Sequence, residues 1–306
     1  MIQSLTVTNH LGKSLTLELA NPEGTGLVIR SIDGLGPPKA SVNMSEVATI
    51  DGSLYNSARV GSRNIVITLS YKPTPPTTVE SLRQMTYRYF PIKKQITLRL
   101  LTGNREVEID GYVESNTPNV FSSDSTTQIS VVCEDAYFRS AGDSGLAVTE
   151  FFSVEPRFEF PFGNESTVSS LLEMSDVVNG VERQVLYEGD AEVGMELILR
   201  ATGAVGTVTI FNVSAQQSLT IDSAKLAAIA GSGIQALDEI FISTRQGAKG
   251  MWLLRGGVYT NILNSLGPNP SWLTLSQGEN VFAYSATSGV GNLWFEIRST
   301  VLYEGV

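Results

Sequence analysis

The sequence predicts a mainly β protein of two domains, and three observations predict it. Apolar and polar residues alternate at period two in segment after segment, the pattern of strands with one face on a core. Turn residues, glycine above all, separate those segments. Charge is also unevenly divided: residues 1–140 carry 13 basic and 13 acidic residues, and residues 141–306 carry 8 and 18. The whole net charge of −10 therefore sits in the second half, which places a boundary near 140–150. A chain of 306 residues is long enough for two domains of about 100–200 residues each.

In the first half, strands are expected at 4–9, 14–19, 64–71, 95–101, 106–113 and 126–134. Val66 lies between Ile65 and Ile67, so that strand is expected to be covered on both sides. One helix interrupts them. Pro75-Pro76 block a helix upstream, Thr77 is the expected N-cap, and Glu80 three residues on completes a capping box. Val79, Leu82, Met85 and Tyr89 fall on one face at helical spacing, and Pro91 stops the helix.

The small, polar stretch around 141–150 ("RSAGDSGLAVTE" spans 139–150) reads as a linker. Beyond it, strands are expected at 151–160, 195–200, 206–213, 238–244, 250–255, 279–285 and 293–301. A short helix is expected from Asp222 as N-cap to Gly231 just past its end. Strands at this spacing predict a β-sandwich over 151–306.

Chemistry is sparse. Cys133, the one cysteine, stands beside Glu134 and Asp135. Carboxylates raise a thiol pKa, whereas a nucleophilic thiol needs it lowered. Alternation puts Cys133 with Ile129 and Val131, so it reads as a core residue. One Cys and one His (His10, in a turn) cannot make an ordinary zinc site. "GSGIQA" (231–236) follows a helix instead of a strand and is no dinucleotide fingerprint. "GLGPP" (34–38) lacks the backbone N–H groups of a phosphate cradle. Acid pairs such as Asp190/Glu192 and Asp238/Glu239 read as surface. No catalytic residue, cofactor or metal is expected, and neither half is basic enough for nucleic acid. No signal peptide and no apolar run of about 18 residues is found, so a soluble product of a cytoplasm is expected.

Two features remain as candidate contacts. Arg83, Arg88, Lys93, Lys94, Arg99 and Arg105 put six cations in 81–105 with no acid between, a candidate subunit interface. Trp252 and Trp272 are candidate glycan contacts, because indole stacks on sugar rings; Trp294 is the third tryptophan, and the favoured place for all three is a sandwich core.

The order of segments resembles the distal tail protein (Dit) family, the siphophage tail and baseplate hub of long-tailed bacteriophages. "GLGPPKASVNMSEVATIDGSLYNSARVGSRNIVITLSY" (34–71) is similar to that family's Gly-Pro turn, "DG" turn and "R-x-I-x-I" strand. The capped helix, "YFPIKKQITLRL" (89–100), "IDGYVES" (109–115) and "CEDAYFR" (133–139) follow in order. "YEGDAEVGMELIL" (187–199), "LTID" (219–222), "LSQGENVF" (275–282) and the final "LYEGV" extend the resemblance over nearly the whole chain. Ala136 stands where many relatives have proline. The resemblance implies a tail-tube-like β-sandwich with one helix over 1–140, forming a hexameric ring, and a galectin-like β-sandwich over 151–306. It implies a virion location at the tail tip after synthesis in the host bacterial cytoplasm. Implied partners are other copies of the chain, the major tail tube protein, the tail-tip hub (tail-associated) protein and a receptor-binding protein. DNA would pass through the ring without sequence-specific contact, and no membrane partner is implied. The alternatives are a carbohydrate-binding host-adhesion module and, third, a wall hydrolase with paired acids.

Overall fold

The structure, a computed structural model, describes residues 2–21, 24–46, 51–119, 125–142, 146–150, 152–156, 175–179 and 182–306. The chain divides into two units: residues 1–145 with 302–306, and residues 146–301.

In unit 1 the strands are β1 (Ile2–Thr8), β2 (Ser14–Glu18), β3 (Leu27–Asp33), β4 (Ala40–Glu46), β5 (Ser53–Val60), β6 (Arg63–Tyr71), β7 (Gln95–Thr102), β8 (Glu106–Pro118), β9 (Thr126–Cys133) and β10 (Phe138–Ser140). Helix α1 (Val79–Tyr89) lies between β6 and β7. The main sheet runs β2-β1-β7-β8-β9-β6-β3, antiparallel throughout, with β10 added on β8. Its end strands β2 and β3 touch, so the sheet rolls around one core. Alternation builds that core: Leu5 and Val7, Leu15 and Leu17, Ile65, Ile67 and Leu69, and Leu98 and Leu100 all point into it. Leu82 and Phe90 of the helical segment close it.

Helix α1 differs from expectation by one position at its start. Thr78, not Thr77, is the N-cap, and Ser81, not Glu80, completes the capping box. Thr77 is occupied elsewhere, its hydroxyl donating to the Thr74 carbonyl in the preceding turn. The buried face is Leu82 and Thr86, with Met85 and Tyr89 packed beside it, while Val79 is exposed.

Unit 2 holds β11 (Leu146–Glu150), β12 (Phe152–Pro156), β13 (Ser175–Asn179), β14 (Glu182–Tyr187), β15 (Val193–Gly194), β16 (Glu196–Ala201), β17 (Val208–Asn212), β18 (Gln217–Ile221), β19 (Glu239–Ser243), β20 (Gly250–Arg255), β21 (Val258–Asn261), β22 (Thr274–Leu275), β23 (Gly278–Ala286) and β24 (Leu293–Thr300). A six-stranded sheet, β11-β24-β16-β19-β20-β21, faces a four-stranded one, β14-β23-β17-β18, and both feed one core that includes Leu197, Leu199, Ile210, Leu219, Phe282 and Phe295. Helix α2 (Ser223–Ala230) starts at Asp222, whose carboxylate accepts from the amides of Ala224 and Lys225, and ends at Gly231 with φ +79°. That left-handed residue is where glycine costs least. Of the strand expected at 151–160, residues 152–156 are described. The stretch 141–150, read from its composition as a linker, includes β11, which pairs with β24 over Leu146–Glu150. Small polar residues hid a strand whose pairing comes from about 150 residues away in the sequence, beyond any local window.

The chain then returns to unit 1. β25 (Leu302–Tyr303) pairs with β10 and completes a nine-stranded sheet.

Candidate interaction surfaces

Cys133 ends β9 and is fully buried. Gly111 on neighbouring β8 makes room for it: a Cβ there would lie 2.7 Å from Val131 Cγ1 and 2.9 Å from Cys133 Sγ. Burial pushes the thiol pKa up to about 12, and the nearby Arg63 cation only partly offsets this. Such a thiol is no nucleophile at neutral pH. Among the described residues no group of three or more His, Cys, Asp or Glu could hold a metal ion.

Opposite Cys133, across the β6–β9 pair, stands Arg63. It shares the inward parity of Ile65, Ile67 and Leu69 and is only 4% exposed. Its guanidinium donates to four carbonyls: Nε to Ala136 (2.8 Å), Nη1 to Gly34 (2.6 Å) and Gly36 (2.8 Å), and Nη2 to Glu304 (2.6 Å). Its Cζ lies 4.4 Å from the centre of the Phe138 ring. Gly34 can take part because its φ is +90° and a Cβ there would collide with the Asn64 carbonyl. The "GLGPP" turn and the exit turn at Ala136 thus supply carbonyl acceptors around one buried cation. The sequence shows Arg63 only as the first residue of "R-x-I-x-I", with no role assigned to it; the signal for burial is an arginine at a core-facing position of an otherwise apolar strand.

The six cations of 81–105 are spread along unit 1. Arg83 pairs with Glu80 at 3.6 Å, and Arg99 with Glu108 at 3.1 Å and Glu106 at 3.7 Å. Arg105 lies over the Tyr303 ring at 4.4 Å. Arg88, Lys93 and Lys94 are exposed near the end of α1. The basic run is therefore partly neutralised within the chain. Glu108 also accepts from Arg139 (2.9 Å), which reaches Asp110 at 2.8 Å. Burial pushes the Asp110 pKa up, but hydrogen bonds from Arg139 and Thr97 outweigh it and hold the carboxyl below its ordinary value.

Strands β4 and β5 form a ribbon of their own, with no other strand paired to it among the described residues. Every residue from Ala40 to Glu46 and from Ser53 to Arg59 is exposed. Its register sets Ala40 opposite Val60, Val42 opposite Ala58 and Met44 opposite Tyr55, so one face is apolar. The other face sets Ser41 opposite Arg59 and Asn43 opposite Ser57. Asn56, the extra residue at the bulge, donates to Ser45 Oγ at 2.6 Å. The ribbon escaped sequence inspection because neither strand faces the core.

In unit 2, Trp252 lies on the outer face of the six-stranded sheet, opposite to the core-facing Met251 and Leu253. Its ring spreads over Gly250, where any Cβ would collide with it. Phe241 is its cross-strand partner, and Phe241 and Tyr259 are 6.0 Å apart. Trp272 instead packs against the core, with Lys249 Nζ 5.4 Å from its ring centre. The two candidate tryptophans therefore sit in different surroundings. Of the acid pairs, Asp238 is buried and receives Arg255 Nε (2.8 Å) and Nη2 (2.6 Å), a structural pair. Glu239 faces Arg200 at 3.5 Å and Glu192 accepts from Thr274.

No protein-family model matches the chain, and no curated protein matches it by sequence. Solved structures do match. The Dit protein of phage SPP1, described as a paradigm of the hub adsorption apparatus in phages that infect Gram-positive bacteria, aligns with a TM-score of 0.58 at 11% identity, over 96% of this chain and 98% of that one. The baseplate of phage P2 in its activated conformation with calcium aligns at 0.43 and 12%, over 98% and 99%. The fold is thus similar to that of the SPP1 Dit protein over 96% of this chain.

Proposed function

We propose that this chain is a structural protein of a phage tail tip, six copies of which form a ring that joins the tail tube to the host-adsorption apparatus. The reading has the chain made in the host cytoplasm and carried in the virion. It would act without catalysis, binding its own copies, the tube protein above, and the tip hub and receptor-binding proteins below. What supports it beyond the shared fold is the β4–β5 ribbon. A two-stranded ribbon is marginal in water unless something covers it. Val42, Met44 and Tyr55 are 51%, 58% and 65% exposed on one side of it, and none of them belongs to a core cluster of the described residues. A second copy of the chain would cover that face and satisfy its edges.

Light scattering after size exclusion, run across concentration, tests the ring. The expected species has about six times the chain mass of 33.0 kDa. Tyr55→Glu together with Met44→Lys should abolish it. A strict monomer, unchanged when mixed with its tube partner and imaged by negative stain, would end this reading.

A second reading has one observation in its favour. Trp252, Phe241 and Tyr259 put three rings on one outer sheet face, a stacking surface suited to a glycan of the host wall. Trp272, packed on the core, is less suited. Loss of glycan-array binding in Trp252→Ala would support this reading; no binding to any wall glycan by the wild type would remove it.

A further inference from the structure

Unit 1 is incomplete until residues from the far end of the chain arrive. Its buried Arg63 needs four carbonyl acceptors, and one of them belongs to Glu304. Contacts of Tyr303, Gly305 and Val306 fix the same short segment. Tyr303 pairs with Phe138 of β10 and carries the Arg105 guanidinium on its ring. The Val306 amide donates to the Leu35 carbonyl at 3.1 Å. Gly305 packs so closely on 35–36 that a Cβ would sit 3.0 Å from the Leu35 oxygen. Between residue 145 and this segment the chain makes all of unit 2.

Unit 2 begins and finishes on neighbouring strands. β11 and β24 are antiparallel partners, and their register puts Leu146 opposite Thr300. Once unit 2 is folded, its entry and exit are one strand spacing apart. Residues 302–306 are then held within a few residues of the place where the chain left unit 1. Before it folds, the same segment trails behind some 150 residues of open chain, and its effective concentration at Arg63 is far lower.

We infer that unit 2 is a folding-dependent tether: its folding delivers residues 302–306 to Arg63, and so couples the completion of unit 1 to the completion of unit 2. Whatever unit 1 binds, it presents in finished form only on chains whose second unit has folded. This holds with or without the ring.

The chain carries a separate reporter for each unit. Trp252, Trp272 and Trp294 all lie in unit 2, so indole fluorescence follows it alone. Cys133, the only thiol, is buried in unit 1 beside Arg63, so its rate of modification by a thiol reagent follows opening there. A urea titration of the full chain should show Cys133 labelling accelerate at the fluorescence transition of unit 2. Phe295→Ala, a core change in unit 2, should move both events together to lower urea. A flexible insertion of about twenty residues between Val301 and Leu302 keeps every contact and lengthens the tether; labelling in the absence of urea should rise about ten-fold. A chain ending at Val301 should label faster still, with its fluorescence transition unmoved and no labelling step at that transition. The inference is overturned if Cys133 labelling ignores the unit 2 transition, or if the insertion leaves it unchanged. Should the shortened chain be insoluble, the insertion and Phe295→Ala, which retain residues 302–306, decide alone.

Discussion

At the scale of single residues, Arg63 is where the first unit is most exposed to damage. Arginine can meet four acceptors because its fork presents rigid donors in several directions; lysine offers one compact charge on a flexible stem. Arg63→Lys should therefore not rescue what Arg63→Leu loses. Each variant strands carbonyls of Gly34, Gly36, Ala136 and Glu304 in a buried site, at a cost of roughly 3 kcal/mol or more. The check is the urea midpoint for Cys133 exposure, which should fall in both variants while the tryptophan transition shifts less. Cys133 itself gives a pH signature. Its pKa is pushed from an ordinary 9.0 to about 12 by burial, so the unfolded chain loses this proton first. Between those values the unfolded state binds fewer protons, and stability falls with rising pH by about 1.4 kcal/mol per unit. The slope should be present in the wild type and reduced by one proton's worth in Cys133→Ala; burial also raises the Tyr71 and Tyr284 hydroxyls, and their contributions are common to both backgrounds. Equal slopes would show that the thiol ionises as readily folded as unfolded.

At the scale of elements, what the sequence made legible was what faces a core. Period-two alternation located β1, β2, β6, β7 and β9 because each places every second residue on the rolled sheet's interior. It missed β4 and β5, which have no interior face, and β11 and β25, whose partners are distant in sequence. The cap of α1 was one residue out because two threonines in a row can each accept an N-terminal amide, and only the turn at Thr74 decides which does. Thr78→Ala should cost about 1 kcal/mol and Thr77→Ala less, a difference that the same Cys133 urea midpoint resolves. Helix α2 was legible at both ends, since Asp222 and Gly231 each carry a local reason for their place. Of the candidate contact residues, the tryptophans were visible by type. Their division into an outer-face Trp252 and a core-packed Trp272 needed the sheet register. Arg63 was visible as the arginine of "R-x-I-x-I", but only its parity with Ile65 and Ile67 marks it as buried, and the ribbon carried no core-facing parity at all.

At the scale of the molecule, charge separates two accounts of how copies would associate. If the cations of 81–105 held copies together through acidic neighbours, added salt would screen the attraction and weaken assembly. Within the chain, however, Arg83 and Arg99 already have carboxylate partners, and Arg105 lies on Tyr303. The apolar face of the β4–β5 ribbon offers an attraction that salt does not screen. The remaining long-range electrostatic force between copies is the repulsion of second halves bearing 8 basic and 18 acidic residues each. Salt should relieve that repulsion. The expected result is that the assembled fraction, read by light scattering, rises from low ionic strength to about 0.3 M, where the Debye length is near 6 Å. Arg88→Glu with Lys94→Glu should leave the direction of this response unchanged, and Tyr55→Glu should remove assembly at every salt. A fraction that falls with salt would move the interface from the ribbon to the basic run, because only an attraction between opposite charges responds with that sign.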